Sequence, residues 1–157
     1  MFNLKTFFLI SLIIFLNSCS KEKIKTSVIN EKSLELQVLE AYQEGYEALE
    51  SGDVIYAAKK FNEAEMLFPQ AETAPRSALM AAYSYYIQDY YGDAIAELER
   101  FINIYPKYKY LDYVHYLLGV CFYEQIVDEK KDLRSIERAK NKFQYVIENY
   151  PNTEYAI

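Results

Sequence analysis

Three stretches decide the fold: AAKKFNEAEMLFP at residues 57–69, AIAELERFINIYP at 94–106 and AKNKFQYVIENYP at 139–151. Each opens on a small residue, carries an apolar face at helical spacing and closes on a proline, which cannot continue a helix. The closing prolines Pro69, Pro106 and Pro151 are 37 and then 45 residues apart, as are Ala57, Ala94 and Ala139. Gly45, Ala82 and Gly119 upstream recur at 37 both times. One interval is constant and the other is not, so each unit has two parts, and eight extra residues lie between the parts of the third. They fall in IVDEKKDLRS, residues 126–135. A repeating pair of helices is the unit, and three pairs suffice to stack a continuous core. The sequence predicts an all-α solenoid of three helix pairs, with helices near 34–50, 54–68, 73–88, 92–104, 110–125 and 135–149.

The spacing resembles the tetratricopeptide repeat, a helix-turn-helix unit of about 34 residues, here lengthened by three in the inter-repeat connection. Counted from Val38, Gly45, Ala57, Phe61, Ala64 and Pro69 fall on that pattern. Small residues there let paired helices approach closely and an aromatic fills the space beside them. The second repeat fits less well, with Leu98 and Phe101 at the aromatic and small positions, and the third has Phe143 and Val146. Two turns support the register. In SGDVIYA, Gly52 suits a left-handed residue after the first helix and Asp53 suits a cap on the next. In QDYYGDA, Asp89 stands where Gly52 stood and tolerates the same conformation.

The N-terminus reads as an export signal. Lys5 precedes a ten-residue apolar run, Phe7 to Leu16, too short to span a bilayer. Leu16-Asn17-Ser18-Cys19 resembles a bacterial lipobox, which implies cleavage after Ser18 and acylation of Cys19; Ser20 at the next position favours the outer membrane. The alternative is ordinary cleavage beside an incidental cysteine. Several acyl chains would anchor stably where one would not. Residues 19–33 read as a polar tether reaching at most roughly 50 Å.

Removal of residues 1–18 leaves 16 lysines and arginines against 23 acids, net −7. Such a balance argues against nucleic acid as a partner. With Cys19 acylated, Cys121 has no partner for an intrachain disulfide, and its apolar surroundings, YLLGVCFYEQ, read as core. His115 has no second histidine to complete a metal site and reads as a packed or rim residue. Glu63, Glu65, Glu97 and Glu99 lie beside lysines and arginines and read as a solvated helix face rather than as paired acid-base carboxylates. No phosphate loop or nucleophile motif is present. The expectation is therefore a protein without catalytic residues, metal or cofactor, apart from covalent lipid on Cys19.

Seventeen tyrosines remain to be explained. The tetratricopeptide resemblance implies that the first helix of each pair lines a concave face. Carried over by position, that face holds Leu39, Tyr42, Tyr46 and Leu49, then Arg76, Leu79, Tyr83 and Tyr86, then Tyr113, Tyr116 and Tyr123. A tyrosine has an apolar body and a polar tip, which suits a groove that is wet when empty and apolar when filled. The alternative for any one of them is packing between helices.

Lipobox, tether and repeats together resemble the ComL-type lipoproteins of the outer-membrane β-barrel assembly machine. The resemblance runs through ERFINIYP at 99–106, DYVHYLLG at 112–119 and the insertion after YEQI. It implies a non-catalytic scaffold on the periplasmic face of the outer membrane. The implied partners are the barrel-inserting outer-membrane protein, accessory lipoproteins of the same complex and unfolded outer-membrane proteins, with the membrane engaged through the lipid anchor. Members carry further repeats, so the expectation is an N-terminal portion of such a protein. The rival reading is a pilot lipoprotein, with the same repeats, for a pilus or secretion channel; an envelope enzyme has almost no support in the residues.

Overall fold

The computed structural model describes residues 33–126 and 133–156. The expected signal peptide, Cys19, nearly all of the tether and most of the insertion lie outside them. The described residues form six α-helices and no strand: α1 Leu34–Ser51, α2 Val54–Leu67, α3 Ala74–Tyr86, α4 Tyr91–Ile104, α5 Leu111–Glu124 and α6 Leu133–Asn149. Each helix packs chiefly on its neighbours in the chain, the signature of a solenoid. A short 3₁₀ turn, Glu154–Ala156, follows α6.

Caps explain the boundaries. The Ser33 hydroxyl accepts from the Leu36 amide at 3.3 Å and opens α1. Gly52 closes it at φ 84°, its amide bonding Leu49 C=O at 3.1 Å while the Asp53 amide reaches Ala48 C=O at 2.9 Å. This six-to-one plus five-to-two pairing is a Schellman cap. Asp53 then caps α2 through the Tyr56 amide at 3.1 Å. Thirty-seven residues on, the Asp89 and Tyr90 amides repeat the cap to Tyr86 and Tyr85 C=O, with Asp89 at φ 62°. The three connections are also copies. In each, two successive turns close by amide-to-carbonyl bonds, from Ala71 to Phe68 and Ala74 to Ala71, then Tyr108 to Tyr105 and Leu111 to Tyr108, then Thr153 to Tyr150 and Ala156 to Thr153.

Packing within the pairs accounts for the imperfect second repeat. A Cβ on Gly45 would lie 3.0 Å from the Phe61 ring, and one on Gly119 would lie 2.8 Å from Phe143. Where the second repeat carries Ala82 instead of glycine, the facing position carries Leu98 instead of phenylalanine, and both are fully buried. One extra methyl on one helix is matched by lost volume on the other. The displaced aromatic reappears three residues later as Phe101, also fully buried.

One expectation is overturned. Glu65 and Glu97 do not lie on a solvated face, and Glu65 is only 4% exposed. Its carboxylate accepts from Arg100 Nη1 at 3.0 Å, Arg100 Nη2 at 2.7 Å and the Tyr105 hydroxyl at 2.7 Å. Arg100 also donates from Nε to Glu97 at 2.8 Å and from Nη2 to Asn62 at 3.2 Å, and Asn62 closes the ring by donating to Glu97 at 3.2 Å. The knot ties α2 of the first repeat to α4 of the second. The sequence reading placed these acids by their neighbours in the chain, whereas Glu65 finds its partner Arg100 35 residues away and Glu97, though three residues from Arg100, is drawn into the same knot by Asn62. Glu63 and Glu99 do keep a wet face, each side chain a little under half exposed and paired with Lys60 at 2.9 Å and Arg138 at 3.2 Å respectively.

Candidate functional site

The odd helices α1, α3 and α5 carry the tyrosines that the repeat pattern singles out, and the structure sorts them into three sets. The largest lies on α3 and α5. Tyr83 and Tyr86 lie 6.1 Å apart between ring centres, and Tyr86 meets Tyr91 of α4 at 6.3 Å. Tyr113 and Tyr116 each meet Tyr155 of the 3₁₀ turn, at 5.4 and 5.2 Å. Burial foremost pushes the Tyr113 pKa up to about 12, and Tyr83 and Tyr86 are near enough to add to the rise. Tyr83, Tyr86, Tyr113 and Tyr116 are all half-buried, partly sunk between helices and partly open to water. A tyrosine hydroxyl can both donate and accept a hydrogen bond.

The second set surrounds Tyr42 on α1. Its ring meets the fully buried Phe61 edge-on at 5.1 Å, and the Arg76 guanidinium of α3 sits 5.7 Å over its face. A cleft of about 430 Å³ opens there, its walls including Leu39, Tyr42, Phe68, Ala71, Arg76 and Ser77. Tyr46, one turn on, is 44% exposed. Tyr123 stands apart at the end of α5, 60% exposed, beside a cleft shared with Ile136 and Phe143 of α6. The tyrosines thus form two ring-contact groups on α3 and α5, Tyr83–Tyr86–Tyr91 and Tyr113–Tyr155–Tyr116, and Tyr42, Tyr46 and Tyr123 are in ring contact with neither.

Sequence reasoning missed Tyr155 and Tyr91 in these ring contacts, and Tyr108, which packs on Phe101 and Tyr110 in the connection between α4 and α5. The first two lie at helix starts rather than within the helices assigned to the concave face. Cys121 is fully buried, and burial pushes its thiol up to about 12, which leaves little of the nucleophilic thiolate at neutral pH. His115 is 6% exposed and packs, tilted, with its ring centre 4.4 Å from that of Tyr145; burial first, and Lys142 second, push it down to about 4. Among the described residues no group of three or more His, Cys, Asp or Glu side chains could hold a metal ion, and no helix is long and apolar enough to cross a membrane.

Comparison with known proteins bears on this arrangement. A family model described as YfiO, outer membrane lipoprotein, matches residues 35–157. The outer membrane protein assembly factor BamD of Caulobacter vibrioides is 38% identical over 136 residues, covering 87% of this chain and 43% of that protein. BamD of Rickettsia prowazekii is 30% identical over 142 residues, covering 90% and 54%, and that of Neisseria gonorrhoeae is 28% identical over 125, covering 73% and 47%. The chain spans about half the length of the curated relatives it matches. With all six described helices inside the matched region but for the first residue of α1, the chain belongs to the YfiO family of outer membrane lipoproteins.

Proposed function

We propose that the protein is a non-catalytic scaffold of the outer-membrane β-barrel assembly machine. In this reading acyl chains on Cys19 hold it at the periplasmic face of the outer membrane, and its concave tyrosine surface takes extended, aromatic-rich segments of unfolded outer-membrane proteins or of a partner subunit. Family membership and the relatives named as outer membrane protein assembly factors support the assembly role. The observation that carries the groove is the convergence of Tyr83, Tyr86, Tyr113 and Tyr116 from two successive odd helices, each half-buried. Rigid aromatic rings lose little conformational entropy on binding, and their hydroxyls pair with the backbone of an extended peptide. A scaffold role also fits the chemistry of the buried groups: the Cys121 thiol and the His115 imidazole are shifted away from reactivity and shielded from water.

Two measurements test this. Crosslinking the full-length lipidated protein in its own cells, followed by mass spectrometry, is expected to recover a barrel-inserting outer-membrane protein; recovery of a secretin in its place would reassign the client. Replacing Tyr83, Tyr86 and Tyr116 by alanine is expected to weaken binding of an aromatic-rich extended peptide with helical content preserved. Unchanged affinity would remove the groove from the proposal.

A further inference from the structure

Two turns of the same register are built from different residues. Between α1 and α2 the order is Gly52, left-handed, and then Asp53, which caps α2; between α3 and α4 the same places hold Asp89 and Tyr90. Both changes are unfavourable for the turn itself. A residue with a Cβ is strained at φ 62°, where glycine at φ 84° is not. Tyr90 gives α4 no side-chain cap, whereas Asp53 bonds the Tyr56 amide. The Asp89 carboxylate is committed elsewhere: it accepts from the Tyr91 hydroxyl at 2.6 Å, a short, charge-assisted hydrogen bond. Tyr91 is the first residue of α4 and half-buried, and its ring centre lies 6.3 Å from that of Tyr86, which in turn meets Tyr83 at 6.1 Å. Tyr86 and Tyr91 also pack on the same buried apolar cluster. At the first turn the equivalents of Tyr86 and Tyr91 are Leu49 and Val54, which carry no hydroxyl, and there glycine takes the left-handed place. A strained residue at Asp89 points to a task that glycine could not perform.

We infer that Asp89 and Tyr91 are positioning residues for the tyrosine surface: the Asp89 carboxylate fixes the Tyr91 ring through its hydroxyl, and the Tyr91 ring braces Tyr86. The inference rests on the reading that this surface takes extended, aromatic-rich segments, and it adds two residues to that surface. Neither touches the ligand in this scheme; both act through the orientation of Tyr86. A ring held in one orientation loses less freedom on binding than one that swings, so the brace raises affinity without a new contact.

The test uses the full chain with Asp89→Gly, Asp89→Asn and Tyr91→Phe. Asp89→Gly removes the acceptor and relieves the left-handed strain, Asp89→Asn keeps an acceptor on a side chain that tolerates that conformation, and Tyr91→Phe keeps the ring without its hydroxyl. The first readout needs no ligand. The ring resonances of Tyr86, displaced by the neighbouring Tyr91 ring, are expected to shift in Asp89→Gly and Tyr91→Phe and to stay in place in Asp89→Asn. The second is affinity for a synthetic extended peptide of alternating aromatic and polar residues. It is expected to fall about threefold in Asp89→Gly and in Tyr91→Phe, no further in the two combined, and to hold in Asp89→Asn. The urea midpoint of Asp89→Gly should stay near that of the wild type, because the relieved strain offsets the lost hydrogen bond. Tyr86 resonances unmoved in both Asp89→Gly and Tyr91→Phe overturn the positioning, whatever the affinities. Shifted resonances with unweakened binding, where Tyr86→Ala does weaken it, overturn the link from the brace to the ligand. A urea midpoint that falls in step with affinity in Asp89→Gly overturns the inference too, since the carboxylate then holds the turn and not the ring. If the wild-type chain fails to bind the peptide while the resonances shift as expected, the positioning of Tyr86 stands and the groove reading falls.

Discussion

The solenoid has two junctions between repeats, built from equivalent positions with opposite chemistry. At the first, Asn62, Glu65, Glu97, Arg100 and Tyr105 form the hydrogen-bonded knot between α2 and α4. Moving 37 residues on from α2 and 45 on from α4 gives Glu99, Ile102, Lys142, Tyr145 and Tyr150 at the second. The buried acid has become isoleucine and the arginine has become tyrosine, so the buried carboxylate–guanidinium pair at the centre of the first knot has no counterpart. Instead His115 of α5 enters where the earlier helices carry the buried alanines Ala41 and Ala78. It packs 4.4 Å from Tyr145 and 6.4 Å from Tyr150, and its Nδ1 has no hydrogen-bond partner among the described residues. The same backbone joint can thus be closed by charge or by aromatic packing. The two closures differ in what breaks them: the first depends on every partner being present, the second on the imidazole staying neutral.

The largest effect is expected at the first joint. Glu65→Ala leaves the Arg100 cation and the Tyr105 hydroxyl without their acceptor, and removing one member of a buried charge pair costs more than the pair contributes. With about a third of the Arg100 side chain in water, the loss falls at the low end of the usual range, roughly 3 kcal/mol, read as a lower urea midpoint. A shift under 1 kcal/mol would mean that the knot is ornamental and that the apolar core alone closes the joint.

Next in size is the response to acid, expected at the second joint. His115 has a folded pKa near 4 against 6.5 in the unfolded chain, because burial and the nearby Lys142 disfavour its cation. The unfolded state therefore takes up the proton first. The stability that this group contributes is complete above pH 6.5 and is lost as pH falls toward 4, by about 2 kcal/mol across that window. His115→Ala, which restores the residue found in α1 and α3, is expected to flatten this slope. A slope that persists in the variant would place the acid-sensitive group elsewhere.

How much of this could be read from the chain follows from the range of each interaction. The helix pairs, the two left-handed caps and the proline stops rest on contacts within a few residues, and the repeat displays them three times over. The predicted helix ends lie within two residues of those observed. The trade of Gly45 and Phe61 for Ala82 and Leu98 was visible as a mismatch, but its meaning required knowing that the positions face each other. The knot and the Tyr113–Tyr155–Tyr116 group join residues tens of positions apart on different helices. Neither composition nor period says which member of an acidic run turns inward, so Glu65 read like Glu63. Tyr155 and Tyr108 lie in connections, where the helical period that selected the other tyrosines does not apply.

The smallest effect sharpens the comparison, because the second joint also contains an ion pair. Glu99 of α4 accepts from Arg138 of α6 at 3.2 Å, an inter-repeat contact like that of Glu65 with Arg100. Its side chains are 44% and 57% exposed, against 5% and 35% for the buried pair. Neither partner gives up much water on pairing, and neither is stranded when the other is removed, so Glu99→Ala should remain within about 0.5 kcal/mol of the wild type. Arg138 also lies 4.4 Å over the Phe122 ring and should retain that contact without Glu99. Arg138→Ala loses both and is expected to cost more than Glu99→Ala, by about 0.5–1 kcal/mol. Equal costs for the two would mean that the ion pair, not the stacked arginine, joins α4 to α6, and that both joints are ionic after all.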